Sequence, residues 1–145
     1  MRRLVLLLPL LAGCVKSDAP KDQAAPAAPA AMSEADIAGT WTGSFYNAKD
    51  SLLGHWTQVC AGGTCHGTTE GQPDTVVSTY AFGADSTVGS VAAMKNPLFP
   101  GLMVTERWVS RVPSAGKVTG TGTFMLADKP DSVVLRFRFE GARKP

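Results

Sequence analysis

Two cysteines and two histidines in one short segment form the densest group of reactive side chains in the sequence: His55, Cys60, Cys65 and His66. The intervening Ala61–Thr64 contains two glycines, which suits a tight hairpin turn. Facing positions of an antiparallel pair bring Cα atoms close enough for a disulfide, and exported chains meet an oxidising compartment. The sequence therefore predicts a Cys60–Cys65 disulfide, with both histidines exposed and non-catalytic.

The same segment admits two other chemistries. Cys60 to His66 is similar to a stretched c-type haem attachment site, in which His66 would be the proximal ligand and Met94 or Met103 the distal one. The two thiolates and two imidazoles, His55 included, also suit zinc. The haem motif usually has two residues between its cysteines, and thiol oxidation competes with zinc outside the cytoplasm. We therefore expect no metal and no cofactor, and haem c is the alternative.

Other catalytic arrangements are missing from the sequence. Neither a Gly-x-Ser-x-Gly nucleophile motif nor a phosphate-cradling glycine loop occurs. Both histidines of the chain belong to the segment just described, which leaves little from which to build a hydrolase site. We expect that the chain is not an enzyme.

Glu106 is the acidic residue whose position is ambiguous. It shares alternation with Val104 and Trp108, so an inward-facing strand would make it a buried carboxylate and a candidate ligand-binding residue, together with Trp41, Tyr80 and Trp108. Because charged residues are seldom buried without a partner, the sequence favours a bulge that turns Glu106 to water.

From Gly39 onward, apolar residues recur with the period of two that is typical of strands. The clearest run is Ser132–Arg143, in which Val133, Leu135, Phe137 and Phe139 share one face, while Val134, Arg136, Arg138 and Glu140 share the other. In Lys117–Leu126, Gly120 and Gly122 leave room on the inner face for a bulky partner, for which Trp41 is the candidate.

About eight such runs follow one another at the spacing of a sandwich or barrel, without a helix-period segment of useful length between them. Short connections favour a meander, and closure removes its exposed edges. The sequence therefore predicts an all-β fold: an antiparallel up-and-down meander of about eight strands that forms a small closed β-barrel.

The amino terminus reads as an export signal. Two arginines precede the apolar run Leu4–Leu11, which is too short to span a membrane, and Leu11–Cys14 ends in small residues and a cysteine. This stretch resembles the lipobox of bacterial lipoproteins. The resemblance implies removal of residues 1–13 and acylation of Cys14. Val15 after the cysteine implies sorting to the outer membrane, facing the periplasm.

The remaining chain divides into a tether and a cargo domain. Residues 14–34 comprise the lipidated cysteine and an Ala/Pro-rich linker, in which Pro20, Pro26 and Pro29 prevent a continuous helix. Residues 35–145 form the predicted barrel domain, and a helical turn at 33–36 leads into it.

The net charge of the chain argues against nucleic acid as a partner. The full chain has a net charge of +2, and loss of Arg2 and Arg3 with the signal leaves it neutral, so nucleic acid is not an expected partner. Acidic residues predominate in residues 33–100, and basic residues predominate in residues 101–145. Because the basic residues alternate with apolar ones, we expect acidic and basic strands side by side rather than a binding patch.

Two further likenesses concern the domain. Gly39-Thr40-Trp41 is similar to the start of lipocalin- and avidin-like (calycin-type) barrels, which implies that Trp41 closes one end and that Arg138 or Arg143 packs on it. The domain also resembles small uncharacterised bacterial lipoproteins. The features that carry this second resemblance are Gly71–Asp74, Lys129–Ser132 and Phe139–Gly141.

These observations lead to three functional hypotheses. The preferred one is a non-enzymatic envelope lipoprotein, held to the membrane by its lipid, whose barrel binds a small apolar ligand or an envelope protein. The alternatives are a periplasmic electron-transfer lipoprotein with c-type haem at Cys60, Cys65 and His66, and a structural envelope component with a filled barrel.

Overall fold

The computed structural model describes residues 31–145. The predicted signal peptide, the lipidation candidate Cys14 and most of the linker lie outside the described residues. Within the described part, no helix is long and apolar enough to cross a membrane.

The described chain is one short helix followed by eight strands. The elements are α1 (Glu34–Ile37), β1 (Gly39–Asn47), β2 (Leu52–Ala61), β3 (Thr64–Thr69), β4 (Val76–Phe82), β5 (Thr87–Lys95), β6 (Met103–Ser114), β7 (Lys117–Leu126) and β8 (Val133–Arg143). Each strand pairs antiparallel with the next, and β1 pairs antiparallel with β8, so the sheet closes into a barrel. The predicted all-β meander and its closure are confirmed.

A two-residue turn joins β2 to β3. Gly62 and Gly63 both have positive φ, of 59° and 80°, which only glycine adopts readily. Two such residues between antiparallel strands match the right-handed twist of a hairpin. The turn therefore places Cys60 opposite Cys65 in the strand register.

Inward-facing glycines on β7 make room for aromatic rings, as the sequence predicted, but the rings are not the predicted one. A Cβ atom at Gly120 would overlap the ring of Phe139, and one at Gly122 would overlap the ring of Phe137. The prediction that Trp41 fills this space is wrong. Both phenylalanines lie on β8, directly opposite these glycines in the register, so the neighbouring strand supplies the bulk.

The same pairing of glycine with a large ring recurs around the barrel. The indole of Trp56 covers Gly43 and Gly141, and that of Trp108 covers Gly89. Each glycine therefore allows one large ring to lie against the wall.

At the start of β8, a bulge places two valines on the faces opposite those predicted. The register shifts between Phe124 and Met125, whose partners are Leu135 and Val133. Val133 is 45% exposed, whereas Val134 packs against the buried Phe124 and its neighbours. A bulge adds one residue to a strand and reverses the alternation beyond it, which moves these two valines to the faces opposite those predicted.

Helix α1 covers one end of the barrel. The indole N–H of Trp41 donates a 2.6 Å hydrogen bond to the carbonyl of Ile37, and the ring is 2% exposed. The guanidinium of Arg143 lies 4.8 Å from the ring centroid and donates to the carbonyls of Ala35 and Asp36. Of the two predicted arginines, Arg143 is the one on Trp41.

Ion pairs on the outer wall join the acidic first half of the chain to its basic second half. Arg138 binds Asp50 at 2.7 Å and stacks 4.1 Å above the ring of Tyr46, and Arg111 binds Asp85 at 3.3 Å. These side chains are exposed, so each pair contributes little to stability. Pairing of β1 with β8 brings Arg138 to Asp50, and pairing of β5 with β6 brings Arg111 to Asp85.

Candidate functional site

The barrel contains a cavity of about 120 Å³ that is partly open to solvent. It runs from Ile37, the last residue of α1, and Trp41 to Thr69, Met94 and Asn96 near the opposite end. Its aromatic lining residues are Trp41, Phe45, Trp56, Trp108, Phe124, Phe137 and Phe139, and its polar lining residues include Gln58, Thr69, Ser78, Asn96, Glu106 and Ser110. All three tryptophans of the chain are therefore wall residues of the cavity.

Glu106 faces this cavity rather than water, so the favoured prediction is wrong and the alternative is correct for its position. The residue pairs with Val91 on β5 and with Phe124 on β7, and no bulge interrupts β6 between Val104 and Trp108. Charged side chains are seldom buried without a protein partner, which is why Glu106 was expected to face water. Here the accessible part of the side chain borders the cavity, an arrangement that alternation along one strand cannot reveal.

Among the described residues, Glu106 is the one titratable side chain in the cavity lining. Burial raises the pKa of its carboxyl from the ordinary 4.5 to about 7, and no neighbouring charge or hydrogen bond offsets that rise. An apolar enclosure stabilises the neutral acid because the carboxylate loses its water. The site therefore holds an acid that changes charge near neutral pH.

The ring of Phe139 lies between two tryptophans in the wall. Trp56 meets it edge-on with ring centroids 6.3 Å apart, and Trp108 does so at 6.4 Å. The indole N–H of Trp56 is buried without a hydrogen-bond partner within residues 31–145. The cavity thus combines an aromatic wall with the carboxyl of Glu106, for which the described residues supply no hydrogen-bond partner.

Sequence reasoning missed the uncharged polar residues of the lining. Gln58 of β2 lies opposite Gly67 of β3. Ser78 of β4 and Ser110 of β6 are both buried. Gln58 is two residues from Trp56, and Ser110 is two residues from Trp108, so each lies on the same strand face as a tryptophan. This alternation is the sequence signal that could have identified them.

Three of the four predicted ligand-binding residues line the cavity: Trp41, Glu106 and Trp108. Tyr80 does not. Its hydroxyl donates to both carboxylate oxygens of Glu34, at 3.0 and 2.9 Å, and the backbone N–H of Gly62 donates to the same carboxylate at 2.7 Å. Burial and the bond to Glu34 raise the pKa of Tyr80. Tyr80 therefore fastens α1 to the barrel wall.

The predicted Cys60–Cys65 disulfide is confirmed. The two residues are a facing pair with Cα atoms 4.0 Å apart, and both side chains are buried. His66 is exposed opposite Val59 on the outer wall, and His55 is exposed and shares a 2.9 Å hydrogen bond with Ser44.

The histidines and the cysteine sulfurs thus lie on opposite faces of the wall. The four side chains of the alternative haem or zinc site are His55, Cys60, Cys65 and His66. Because they lie on two faces of the wall, they do not converge on one point. No group of three or more His, Cys, Asp or Glu side chains within residues 31–145 is arranged to hold a metal ion.

The wall is shortest at β3 and β4, away from α1. Pairing between β4 and β5 starts at Ser78 opposite Val91, so Val76, which also lines the cavity, precedes it. Thr69 ends β3 at the same level. Thr69 and Val76 both line the cavity at this edge.

The fold and cavity define an eight-stranded antiparallel barrel with an internal site. Comparison of the sequence with protein-family models, curated proteins and solved structures finds no match.

Proposed function

We propose that this chain is a non-enzymatic envelope lipoprotein whose barrel binds a small ligand in its internal cavity. The observation that carries the proposal is an aromatic cavity inside the barrel that contains one acidic side chain, Glu106, for which residues 31–145 supply no partner. Perturbed titratable groups in apolar pockets are typical of functional sites.

The size of the cavity sets the size of the ligand. An engineered protein cavity of about 150 Å³ binds benzene, so about 120 Å³ suits a single ring or a branched chain of similar bulk. A barrel that served only as a scaffold would gain stability by filling this space and replacing the acid, because buried polar groups without partners are destabilising.

The envelope part of the proposal depends on the sequence resemblance. A lipidated Cys14 and a proline-rich linker would hold the barrel at the outer membrane, facing the periplasm. The disulfide between Cys60 and Cys65 is consistent with an oxidising compartment. The contact of Arg143 with Trp41 agrees with the lipocalin- and avidin-like resemblance.

The fluorescence of the three tryptophans reports on binding, since all of them line the cavity. The lipoprotein is placed in phosphatidylcholine nanodiscs and titrated with cyclopentanol, a neutral probe of single-ring size. Saturable quenching or a spectral shift, absent from empty nanodiscs containing free tryptophan, is expected. If no single-ring probe, neutral or charged, perturbs the emission, the filled structural barrel is the correct alternative.

A further inference from the structure

The chemistry of the cavity wall narrows the ligand class beyond size. Within residues 31–145, Glu106 is the one acidic side chain that lines the cavity, and no lysine, arginine or histidine of that range lines it. The described basic side chains nearest in the register, Arg107 and Arg136, belong to the outer face. The charge of an ionised Glu106 is therefore left for an occupant to neutralise.

Three kinds of ligand, neutral, anionic and cationic, would interact differently with Glu106 and the aromatic rings. A neutral apolar ring leaves the carboxyl unsatisfied, and an anion is repelled by it. An organic cation pairs with the carboxylate through a charge-assisted hydrogen bond. It also gains from the aromatic rings, because the electron-rich faces of tryptophan and phenylalanine attract positive charge.

We propose that the cavity takes a small organic cation, a protonated amine of single-ring size, with its ammonium on Glu106 and its apolar body among Trp56, Trp108 and Phe139. The proposal deepens the proposed function and rests on it, since it requires that the cavity binds a ligand.

The protonation state of Glu106 makes this binding depend on pH. With a pKa of about 7 in the empty site, the carboxyl is neutral in acid and charged in mild alkali. The groups that flank it on the neighbouring strands are Val91 and Phe124, and neither titrates. The two histidines lie on the outer wall. Cation affinity is therefore expected to rise with pH through this range.

Three matched probes test the proposal by isothermal titration calorimetry on the lipoprotein in phosphatidylcholine nanodiscs at about pH 8. The probes are cyclopentylamine, cyclopentanol and cyclopentanecarboxylate, which share one ring and differ in charge. The amine is expected to bind about tenfold tighter than the alcohol, the size of a cation–π and ion-pair advantage in a desolvated site, and the carboxylate more weakly than both. Lowering the pH to about 5.5 should remove the advantage of the amine, which itself stays protonated.

Two Glu-to-Gln variants test whether the preference for the amine depends on Glu106. Glu106→Gln should lose both the preference for the amine over the alcohol and the dependence of that preference on pH. Glu140→Gln makes the same change on the outer face of β8 and should keep both. Equal affinity of the native protein for amine and alcohol, or an amine preference that survives in Glu106→Gln, would overturn the inference while leaving the proposed function standing. Failure of all three probes to bind would overturn both.

Discussion

Replacing Glu106 by glutamine should change how the stability of the barrel depends on pH. The folded carboxyl has a pKa of about 7, against 4.5 for the exposed group in the unfolded chain. Between these values the folded protein holds a proton that the unfolded chain has released. The free energy of unfolding contributed by Glu106 is therefore largest below pH 4.5 and decreases as the pH rises to about 7.

The size of the change follows from the two pKa values. A difference of about 2.5 units corresponds to about 3 kcal/mol of stability lost between acid and neutral pH. Glutamine cannot ionise and keeps nearly the same shape. Glu106→Gln should therefore equal the native protein in stability near pH 4.5 and exceed it by about 3 kcal/mol above pH 7.

Urea unfolding followed by tryptophan fluorescence at several pH values between about 4.5 and 8.5 measures this difference. The two proteins share every other titrating group, including Asp36, whose pKa is lowered by its hydrogen bonds to Ser33. The contributions of these shared groups cancel when the free energy of unfolding of the native protein is subtracted from that of Glu106→Gln at each pH. Glu140→Gln, changed on the exposed face, should follow the native curve. A difference between Glu106→Gln and the native protein that stays constant with pH would refute the buried position of Glu106.

Three further outcomes are expected. Cys14→Ser should abolish membrane fractionation, and a native protein whose intact mass shows no acyl chains would contradict lipidation at that cysteine. Phe137→Asp should destabilise the barrel by several kcal/mol in urea unfolding, since Phe137 is 7% exposed, whereas Arg136→Asp on the outer wall should cost about 0.5 kcal/mol or less; equal tolerance would contradict the assigned faces of β8. Mass spectrometry under non-reducing conditions should show Cys60 and Cys65 oxidised without a haem adduct, and a Soret band in protein made with cytochrome c maturation enzymes would contradict this.

Strand faces were predictable because alternation is a local property of the chain. In β8, Phe137 and Arg138 differ in burial simply because successive side chains point to opposite faces. The Cys60–Cys65 bond was predictable for the same reason, since two glycines between short strands define a hairpin and its facing pair.

The features that escaped prediction depend on more than one strand. Which ring covers Gly122 depends on its register with Phe137 on the neighbouring strand. The choice of Arg143 over Arg138 for the contact with Trp41 depends on where α1 places its carbonyls. The position of Glu106 depends on a cavity that only the closed barrel creates.

The most direct test of a ligand-binding barrel is a crystal structure of the protein soaked with cyclopentylamine. We predict electron density for the ring among Trp56, Trp108 and Phe139, with its nitrogen within hydrogen-bond distance of a Glu106 carboxylate oxygen. A cavity that stays free of the probe, or is filled by the protein's own side chains, would contradict the account.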